Sequence, residues 1–214
     1  MVVDVLRATS AFCAVMDAGA ELILPVDGLE ALSSLGSQGY MTAAERDGRK
    51  VDFADFGNSP VQFLRSELRG RKIAYSTTNG TRAVELAKSG PMVTACFNNL
   101  DSAIQVIIGM NTDVLLFCSG WMDSISLEDT VFAVAIVDSL KKNGYQPAGD
   151  AALIAAGLWQ DASPSLKKFC SSGTHYRRLR KLGLQEDLDH CFQLNTSGCV
   201  PFWNGQFLEN FKLK

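Results

Sequence analysis

The sequence predicts an α/β fold, a three-layer α/β/α arrangement with a largely parallel sheet and a C-terminal helical annex. Three observations support this class. Short apolar, β-rich runs alternate with helical patterns through the first two thirds of the chain. Capping residues and glycine stops separate these runs. The last third carries helical patterns in succession, at residues 151–159, 163–169 and 174–182, before a tail that is expected to be irregular around Val200 and Pro201.

The predicted elements begin with a strand at residues 2–5. A helix over residues 11–18 follows, because Thr9 or Ser10 offers an N-cap and Gly19 offers a stop. Ligands of open parallel sheets gather outside the carboxyl ends of the strands, so we expect function in the loops that follow strands. Further strands are predicted at residues 22–24, 72–76, 92–97 and 114–118, and further helices from about residue 28 and over residues 61–68, 81–90, 99–108 and 126–142.

Size and charge limit the classes of protein. A chain of 214 residues with 47% hydrophobic residues can bury a substantial core. It fits either two related α/β halves, residues 1–100 and residues 101–214 with the annex, or a single compact unit. The net charge is −3, and lysine and arginine are scattered, so no nucleic-acid partner is expected.

The sequence also predicts no membrane-spanning segment, no secretory signal and no zinc site. The longest apolar stretches, at residues 131–137 and 151–159, are shorter than the roughly 20 residues that cross a bilayer. Residues 1–4 lack the pattern of a secretory signal, so we expect a cytoplasmic enzyme. The six cysteines show no C-x-x-C spacing, and the two histidines are not paired. Any metal should therefore be a hard ion held by carboxylates.

The loop after the first predicted strand contains Asp4, Arg7, Thr9 and Ser10. It leads into a helix, and a helix N-terminus attracts anions through its free N–H groups and its dipole. A purely structural interpretation makes Thr9 or Ser10 a cap and leaves Arg7 in solvent. An aspartate and an arginine at a strand end also indicate a site.

A second polar segment contains Glu45, Arg46, Asp55, Asn58 and Ser59. Glu45, Asp47 and Asp55 offer the oxygen ligands that Mg²⁺ prefers. By itself, Asn58-Ser59 before a proline is an ordinary turn into a helix. Only the combination of acids, arginine and turn indicates a site.

The third loop, residues 76–82, lies between an apolar strand and a helical pattern. Its N–H groups, hydroxyls and guanidinium can bind phosphate or sulfonate. Asn79-Gly80 can also mark a β-hairpin, but the helical pattern that follows argues against a second strand. The loop matches neither G-x-x-x-x-G-K-[ST] nor G-x-G-x-x-G, so it indicates anion binding without nucleotide binding. The residues concerned are Thr77, Thr78, Asn79, Gly80, Thr81 and Arg82.

The fourth loop places Cys118 and Gly120 before Ser126, Glu128 and Asp129. Ser126-x-x-Asp129 is similar to a capping box, and acids in a first helical turn complement the helix dipole. Structure alone can therefore explain both acids. Because neighbouring residues point in different directions, we expect one of the two to face a metal.

Three common classes of phosphatase do not fit this sequence. A C-x5-R loop is missing, since Cys170 and Arg177 are one residue too far apart. Asp4 is not followed by a second aspartate in a D-x-D pattern, and no R-H-G sequence occurs. Metal-assisted chemistry is the class that survives.

Together, the loops resemble the 2-phosphosulfolactate phosphatase family of coenzyme M biosynthesis. The resemblance covers residues 2–140 and extends loosely into the annex. The matching segments are residues 4–10, Glu45-Arg46 with Gly48, Asp55 with residues 57–60, residues 77–82, Cys118 with Gly120, and residues 126–129.

The resemblance implies a Mg²⁺-dependent, homo-oligomeric enzyme, expected to be a dimer, that removes phosphate from 2-phospho-3-sulfolactate, a small anionic substrate. Arg7, Arg46 and Arg82 would bind its charged groups. The acids would hold Mg²⁺ and orient water. The residues implied are Asp4, Asp55 and Glu128 for catalysis, Asp4, Glu45 and Asp129 for the metal, and Arg7, Thr9, Ser10, Arg46, Asn58, Ser59, Thr77, Thr78, Asn79, Gly80, Thr81, Arg82, Cys118 and Gly120 for the substrate.

Two alternatives stay open at this point. The chain acts on another small phosphorylated hydroxy acid, or it is an α/β module that binds small anions without catalysis. Both are motivated by departures from the family pattern at Ala44, Ser119, Asp123 and Val134.

Overall fold

The computed structural model describes residues 1–155 and 158–211 and confirms the α/β class with a helical C-terminal region. The described strands are β1 (Val2–Val3), β2 (Leu22–Pro25), β3 (Met41–Arg46), β4 (Arg49–Lys50), β5 (Lys72–Ser76), β6 (Met92–Ala95), β7 (Phe117–Cys118), β8 (Pro201–Trp203) and β9 (Leu208–Asn210). The described α-helices are α1 (Ala8–Asp17), α2 (Leu29–Ser37), α3 (Pro60–Leu64), α4 (Gly80–Ala87), α5 (Leu100–Met110), α6 (Leu127–Lys142), α7 (Asp150–Ala155), α8 (Leu158–Ala162), α9 (Leu166–Cys170), α10 (Thr174–Lys181) and α11 (Gln185–Cys191).

One mixed sheet joins the nine described strands in the order β4-β3-β5-β2-β9-β8-β6-β1-β7, with helices on both sides. Strands β3, β5 and β2 are parallel, and so are β6, β1 and β7. The antiparallel hairpin β8–β9 joins these two parallel triplets. The division of the chain near residue 100 stays a prediction.

The sequence predicts an irregular C-terminal tail, and this prediction is wrong. The tail forms β8 and β9, connected through Asn204-Gly205, where Gly205 has a φ of +104° that suits glycine. Each strand is very short and is stabilised by pairing with a strand far away along the chain. Strand β8 pairs with β6, and β9 pairs with β2. Such long-range pairing leaves little trace in a local pattern.

Helix α1 begins earlier than predicted. Arg7 occupies its N-cap position, so Thr9 and Ser10 lie inside the first turn and the capping prediction for them is wrong. Their hydroxyls instead donate backwards, from Thr9 Oγ1 to the carbonyl oxygen of Asp4 at 2.8 Å and from Ser10 Oγ to that of Val5 at 2.8 Å. These bonds fix the loop between β1 and α1.

Strand β3 was not predicted, and it changes the setting of Glu45 and Arg46. The strand lacks a clear apolar alternation, and its parallel register with β5, which places Ala44 opposite Ser76, defines it. Successive residues of a strand point to opposite faces, so Glu45 and Arg46 diverge. Helix α11 was also not predicted, and residues 156 and 157 of the helix predicted at 151–159 lie outside the described residues.

Two aromatic contacts mark the apolar clusters that hold the layers together. Phe12 of α1 meets Tyr75 of β5 edge-to-face, with ring centroids 4.9 Å apart. Phe97 meets Phe132 of α6 in the same way at 5.2 Å, and this second cluster continues to Tyr176 of α10. The annex is therefore part of the core. No helix within residues 1–155 and 158–211 has the length and apolar character needed to cross a membrane.

Candidate active site

The loops that follow β1, β3, β5 and β7 meet in one cleft of about 290 Å³. These are the loops in which the sequence predicts function. Helix α10 of the annex supplies further residues to the lining. The polar and aromatic residues that line the cleft include Asp4, Arg7, Glu45, Asn58, residues 77–80, Arg82, Trp121, Asp123, His175 and Arg178.

Asp4 is a buried acid of this cleft, only 6% exposed. Its Oδ1 accepts a hydrogen bond from the N–H of Ala8 at 3.1 Å. Gly80 leaves room beside the other oxygen, because a Cβ there would lie 2.2 Å from the Cβ of Ala8 and 3.0 Å from Asp4 Oδ2. Burial, opposed by the Ala8 N–H and reinforced by the charges of Glu45 and Glu128, raises the pKa of Asp4 to about 6.

The adjacent acids of α6 have different roles. Asp129 Oδ1 accepts from the N–H of Val5 at 2.8 Å, and its Oδ2 accepts from the N–H of Gly120 at 3.2 Å, so Asp129 joins the loops after β1 and β7. Glu128 is also buried, but its Oε2 has no hydrogen-bond partner among the described residues. Burial raises the pKa of both acids, and the charge of Asp4 raises that of Asp129 further. Protein donors thus occupy Asp129, while one oxygen of Glu128 is unsatisfied.

Arg7 is buried and anchored from the annex. Its Nη1 donates to Oδ2 of Asp187 in α11 at 2.6 Å, and its Nη2 donates to the carbonyl oxygen of Gly48 at 3.3 Å. The carboxylate of Glu45 lies 3.8 Å from Nη2. The other oxygen of Asp187 accepts from Ser59 Oγ at 2.6 Å, so Ser59 contacts the partner of Arg7 and not the cleft itself.

The turn before α4 closes on itself through two threonines. The N–H of Thr77 donates to Thr81 Oγ1 at 2.9 Å, and the N–H of Thr81 donates to Thr77 Oγ1 at 3.3 Å. Helix α4 starts at Gly80 in the cleft lining, where its first N–H groups lack intrahelical partners. Arg82 follows at the exposed edge and pairs with Asp123 at 3.1 Å. This turn can bind an oxyanion beside Asp4.

Comparison with known proteins identifies the family of this chain. The family model for 2-phosphosulpholactate phosphatase matches residues 1–206. A probable 2-phosphosulfolactate phosphatase of Gloeobacter violaceus is 36% identical over 206 residues, which cover 93% of this chain and 85% of the relative. Those of Microcystis aeruginosa and Thermotoga petrophila are 34% and 32% identical, covering 94% and 97% of this chain and 87% and 90% of each relative.

The chain belongs to the 2-phosphosulpholactate phosphatase family. It is therefore an enzyme of the phosphoric monoester hydrolase class. The family match includes all four loops that the sequence analysis singled out, so the resemblance stated from those loops is confirmed.

Several predicted site residues of this family member lie outside the cleft lining. Arg46 donates to the carbonyl oxygen and the hydroxyl of Ser76 at 3.1 and 3.0 Å, and Asp55 accepts from the N–H and hydroxyl of Thr42 at 2.7 and 2.9 Å. Burial raises the pKa of the Cys118 thiol to about 12. These contacts are structural, and the functional roles stay predictions. The other predicted residues outside the lining are Thr9, Ser10, Ser59, Thr81, Gly120, Glu128 and Asp129.

Sequence reasoning gave no role to four residues of the site. Trp121 follows β7, His175 and Arg178 lie on α10, and Asp187 stands behind Arg7. The guanidinium carbon of Arg178 lies 5.6 Å from the Trp121 ring centre, and the His175 ring packs against the same indole at 5.1 Å. The one available signal was the spacing of His175 and Arg178, which places them on one helix face.

Proposed function

We propose that this chain hydrolyses 2-phospho-3-sulfolactate to 3-sulfolactate and phosphate in a Mg²⁺-dependent reaction. The observation that carries the proposal is that the family match includes all the loops that meet in the cleft. Relatives named probable 2-phosphosulfolactate phosphatase align over 93–97% of the chain. No feature of the cleft favours the alternative of a binding module without catalysis.

The charge distribution of the cleft supports a substrate with several anionic groups. The start of α4 and Arg82 are suited to the phosphoryl group, because the N–H groups of a helix start and a guanidinium both bind phosphate oxygens. Asp4 lies beside this position, because a Cβ built on Gly80 would be only 3.0 Å from Asp4 Oδ2. Hydrolysis adds water at phosphorus and releases the hydroxyl of sulfolactate. Donors fixed before the reaction stabilise the charge that develops on the phosphoryl oxygens.

The acidic side of the cleft fits Mg²⁺. This ion is usually held by one or two carboxylates together with water and substrate phosphate. Asp4 and Glu45 would supply these carboxylates. The negative charges of Glu45 and Glu128 both act on Asp4, and Oε2 of Glu128 has no hydrogen-bond partner among the described residues. When bound, Mg²⁺ would neutralise phosphoryl oxygens. Asp129, predicted as a ligand, already accepts from protein donors.

The described residues contain no group of three or more His, Cys, Asp or Glu side chains arranged as a complete metal site. A Mg²⁺ ion that shares its ligands between two carboxylates, water and substrate does not require such a group. Tight binding of Mg²⁺ should therefore depend on the phosphorylated ligand. Thermal stability measured with Mg²⁺ alone, inorganic phosphate alone and both together tests this dependence independently of turnover.

Phosphate release from 2-phospho-3-sulfolactate tests the function directly. We expect turnover with Mg²⁺ and a loss of at least about 100-fold in EDTA or in Asp4→Asn, because both remove charge stabilisation at phosphorus. Asp52→Asn, which changes an exposed acid outside the cleft lining, is the matched control and should keep wild-type rates. Turnover that is indifferent to EDTA would exclude the metal, and no turnover would exclude the substrate. A higher kcat/KM for 2-phospholactate would favour another phosphorylated hydroxy acid.

The dimer implied by the resemblance and the expected cytoplasmic location belong to the same proposal. Sedimentation of the purified chain measures its oligomeric state, and cell fractionation measures its location. A monomer that retains full turnover would remove the dimer from the proposal without affecting the reaction.

A further inference from the structure

The arginines that line the cleft differ in the hydrogen-bond partners of their guanidinium groups. Arg7 is buried and donates to Asp187 and Gly48, and Arg82 donates to Asp123 at 3.1 Å. The guanidinium of Arg178 makes no hydrogen bond to any residue within 1–155 and 158–211, and its nearest acid oxygen, Oδ1 of Asp47, is 3.8 Å away. Arg178 therefore offers its N–H donors to a ligand.

Arg178 is nevertheless held in place. Its guanidinium stacks over the Trp121 ring at 5.6 Å, and its side chain is only 27% exposed. Gly48 allows this approach, since a Cβ there would lie 3.2 Å from Arg178 Nη1 and 2.7 Å from Leu182 Cδ1. A cation ordered on an aromatic face without hydrogen-bond partners loses little conformational entropy when it binds an anion.

The tight turn after β7 contacts both Arg178 and Arg82. The N–H of Trp121 donates to the carbonyl oxygen of Ser124 at 3.0 Å, and the N–H of Ser124 donates back at 3.1 Å. Trp121, at one end of this turn, contacts Arg178, and Asp123, near the other, pairs with Arg82. This turn thus contacts two different cationic residues of the cleft.

We propose that Arg178, stacked on Trp121, binds the acidic group of the substrate that is not the phosphoryl group, a sulfonate or carboxylate. This inference rests on the proposed function and deepens it, because it assigns a specificity-determining residue outside the four predicted loops. A planar guanidinium can donate two parallel hydrogen bonds to either group, which the ammonium of lysine cannot. Discrimination against monoesters that carry phosphate alone follows from this contact.

Steady-state kinetics of Arg178→Gln test the proposal. With 2-phospho-3-sulfolactate, KM should rise about 10- to 100-fold, the value of a hydrogen bond to a charged group, while kcat changes little. Arg178→Lys should recover only part of this loss, and Trp121→Leu should raise KM by a smaller factor. Arg177→Gln, an exposed neighbour on the same helix, is the matched control and should leave KM unchanged. Unchanged KM in Arg178→Gln would overturn the proposal.

Two truncated substrates identify the group that is bound. 2-Phospholactate lacks the sulfonate, and the phosphate ester of 2-hydroxyethanesulfonate lacks the carboxylate. The substrate that lacks the partner of Arg178 should show the same KM in the wild type and in Arg178→Gln. An equal loss for both would mean that Arg178 holds the phosphoryl group, which contradicts the proposal.

Calorimetry separates this proposal from the proposed function. 3-Sulfolactate should bind to Arg178→Gln about 10- to 100-fold more weakly than to the wild type, whereas inorganic phosphate should bind equally to both. This result would support the role of Arg178 even if no hydrolysis were detected. Equal binding of 3-sulfolactate to both proteins would overturn it, provided that thermal unfolding shows Arg178→Gln to be folded.

Discussion

The cleft has two walls, here called the turn wall and the annex wall, and local sequence patterns reveal only the first of them. The turn wall consists of Asp4, residues 77–80 and Arg82, and each of these segments follows a strand. The annex wall consists of Trp121, His175 and Arg178, with Asp187 behind it. The turn wall is visible in the sequence because short contiguous segments supply its hydroxyls, glycine and charges. The annex wall exists only after α10 and α11 have packed on the sheet.

The difference extends to the forces that hold each wall. The turn wall depends on close backbone fit, as at Gly80, and on local hydrogen bonds such as those between Thr77 and Thr81. The annex wall depends on a buried ion pair and on aromatic packing between distant segments. Substitutions in the annex wall should therefore reduce global stability more than those in the turn wall.

Asp187→Ala should have the largest effect. It leaves the buried guanidinium of Arg7 without its 2.6 Å partner, and removal of one member of a buried pair costs about 3–5 kcal/mol. The neighbouring Glu186→Ala is the control, because Glu186 pairs with Arg65 while both side chains are about 70% exposed, and such pairs contribute less than about 1 kcal/mol. Urea unfolding measures both free energies. Equal losses would show that the annex does not stabilise the cleft.

His175 should make stability depend on pH. Burial lowers its pKa to about 4, with Arg178 and Arg7 acting in the same direction and the Leu6 carbonyl opposing. The folded state thus prefers the neutral ring, so this contribution is complete above about pH 6.5 and is lost as the pH falls toward 4. Between pH 7.5 and 4.5, the wild type should lose about 2–3 kcal/mol more than His175→Gln. Parallel loss in both proteins would contradict this assignment.

Local patterns predict much of this fold. The strand at residues 72–76 and the helix that Ser126 opens are found where predicted, and Ser126 Oγ accepts from the N–H of Asp129 as a cap. The hairpin β8–β9 and strand β3 were missed because their order comes from neighbours in space. A pattern of side chains over a few residues carries no information about strands that are distant along the chain.

The site shows the same limit at the level of single residues. The loops that carry Asp4, Glu45 and Gly80 were predicted to have functional importance, and these residues line one cleft. The pattern could not tell that Arg46 faces Ser76, because that depends on the register of an unpredicted strand. Nor could it show that Arg178 reaches Trp121, since their contact requires the annex to fold back onto the loop after β7.

Gly80→Ala should damage the turn wall with a moderate loss of stability. Its Cβ would overlap the Cβ of Ala8 at 2.2 Å, and such overpacking costs about 1–3 kcal/mol. Because the clash also shifts α4 against Asp4, turnover should fall by about 100-fold. Gly90→Ala, whose Cβ would meet nothing within 4 Å, is the control in the segment after the same helix. Unfolding and phosphate-release assays on both variants compare the effects. Full activity in Gly80→Ala would show that the close fit is not required.

Asp123→Asn should have the smallest effect on stability and an opposite effect on binding. The pair of Asp123 with Arg82 is exposed at 85% and 70%, so its loss changes the free energy of unfolding by less than about 1 kcal/mol. Asparagine also tolerates the φ of +54° at this position. Arg82 no longer has to leave a carboxylate when an anion binds, so KM should fall a few-fold at low salt with kcat unchanged, and added salt should reduce the difference. A higher KM at low salt would instead mean that Asp123 positions Arg82 for the substrate, and the exposed edge of the turn wall would then be organised by an ion pair, as the annex wall is.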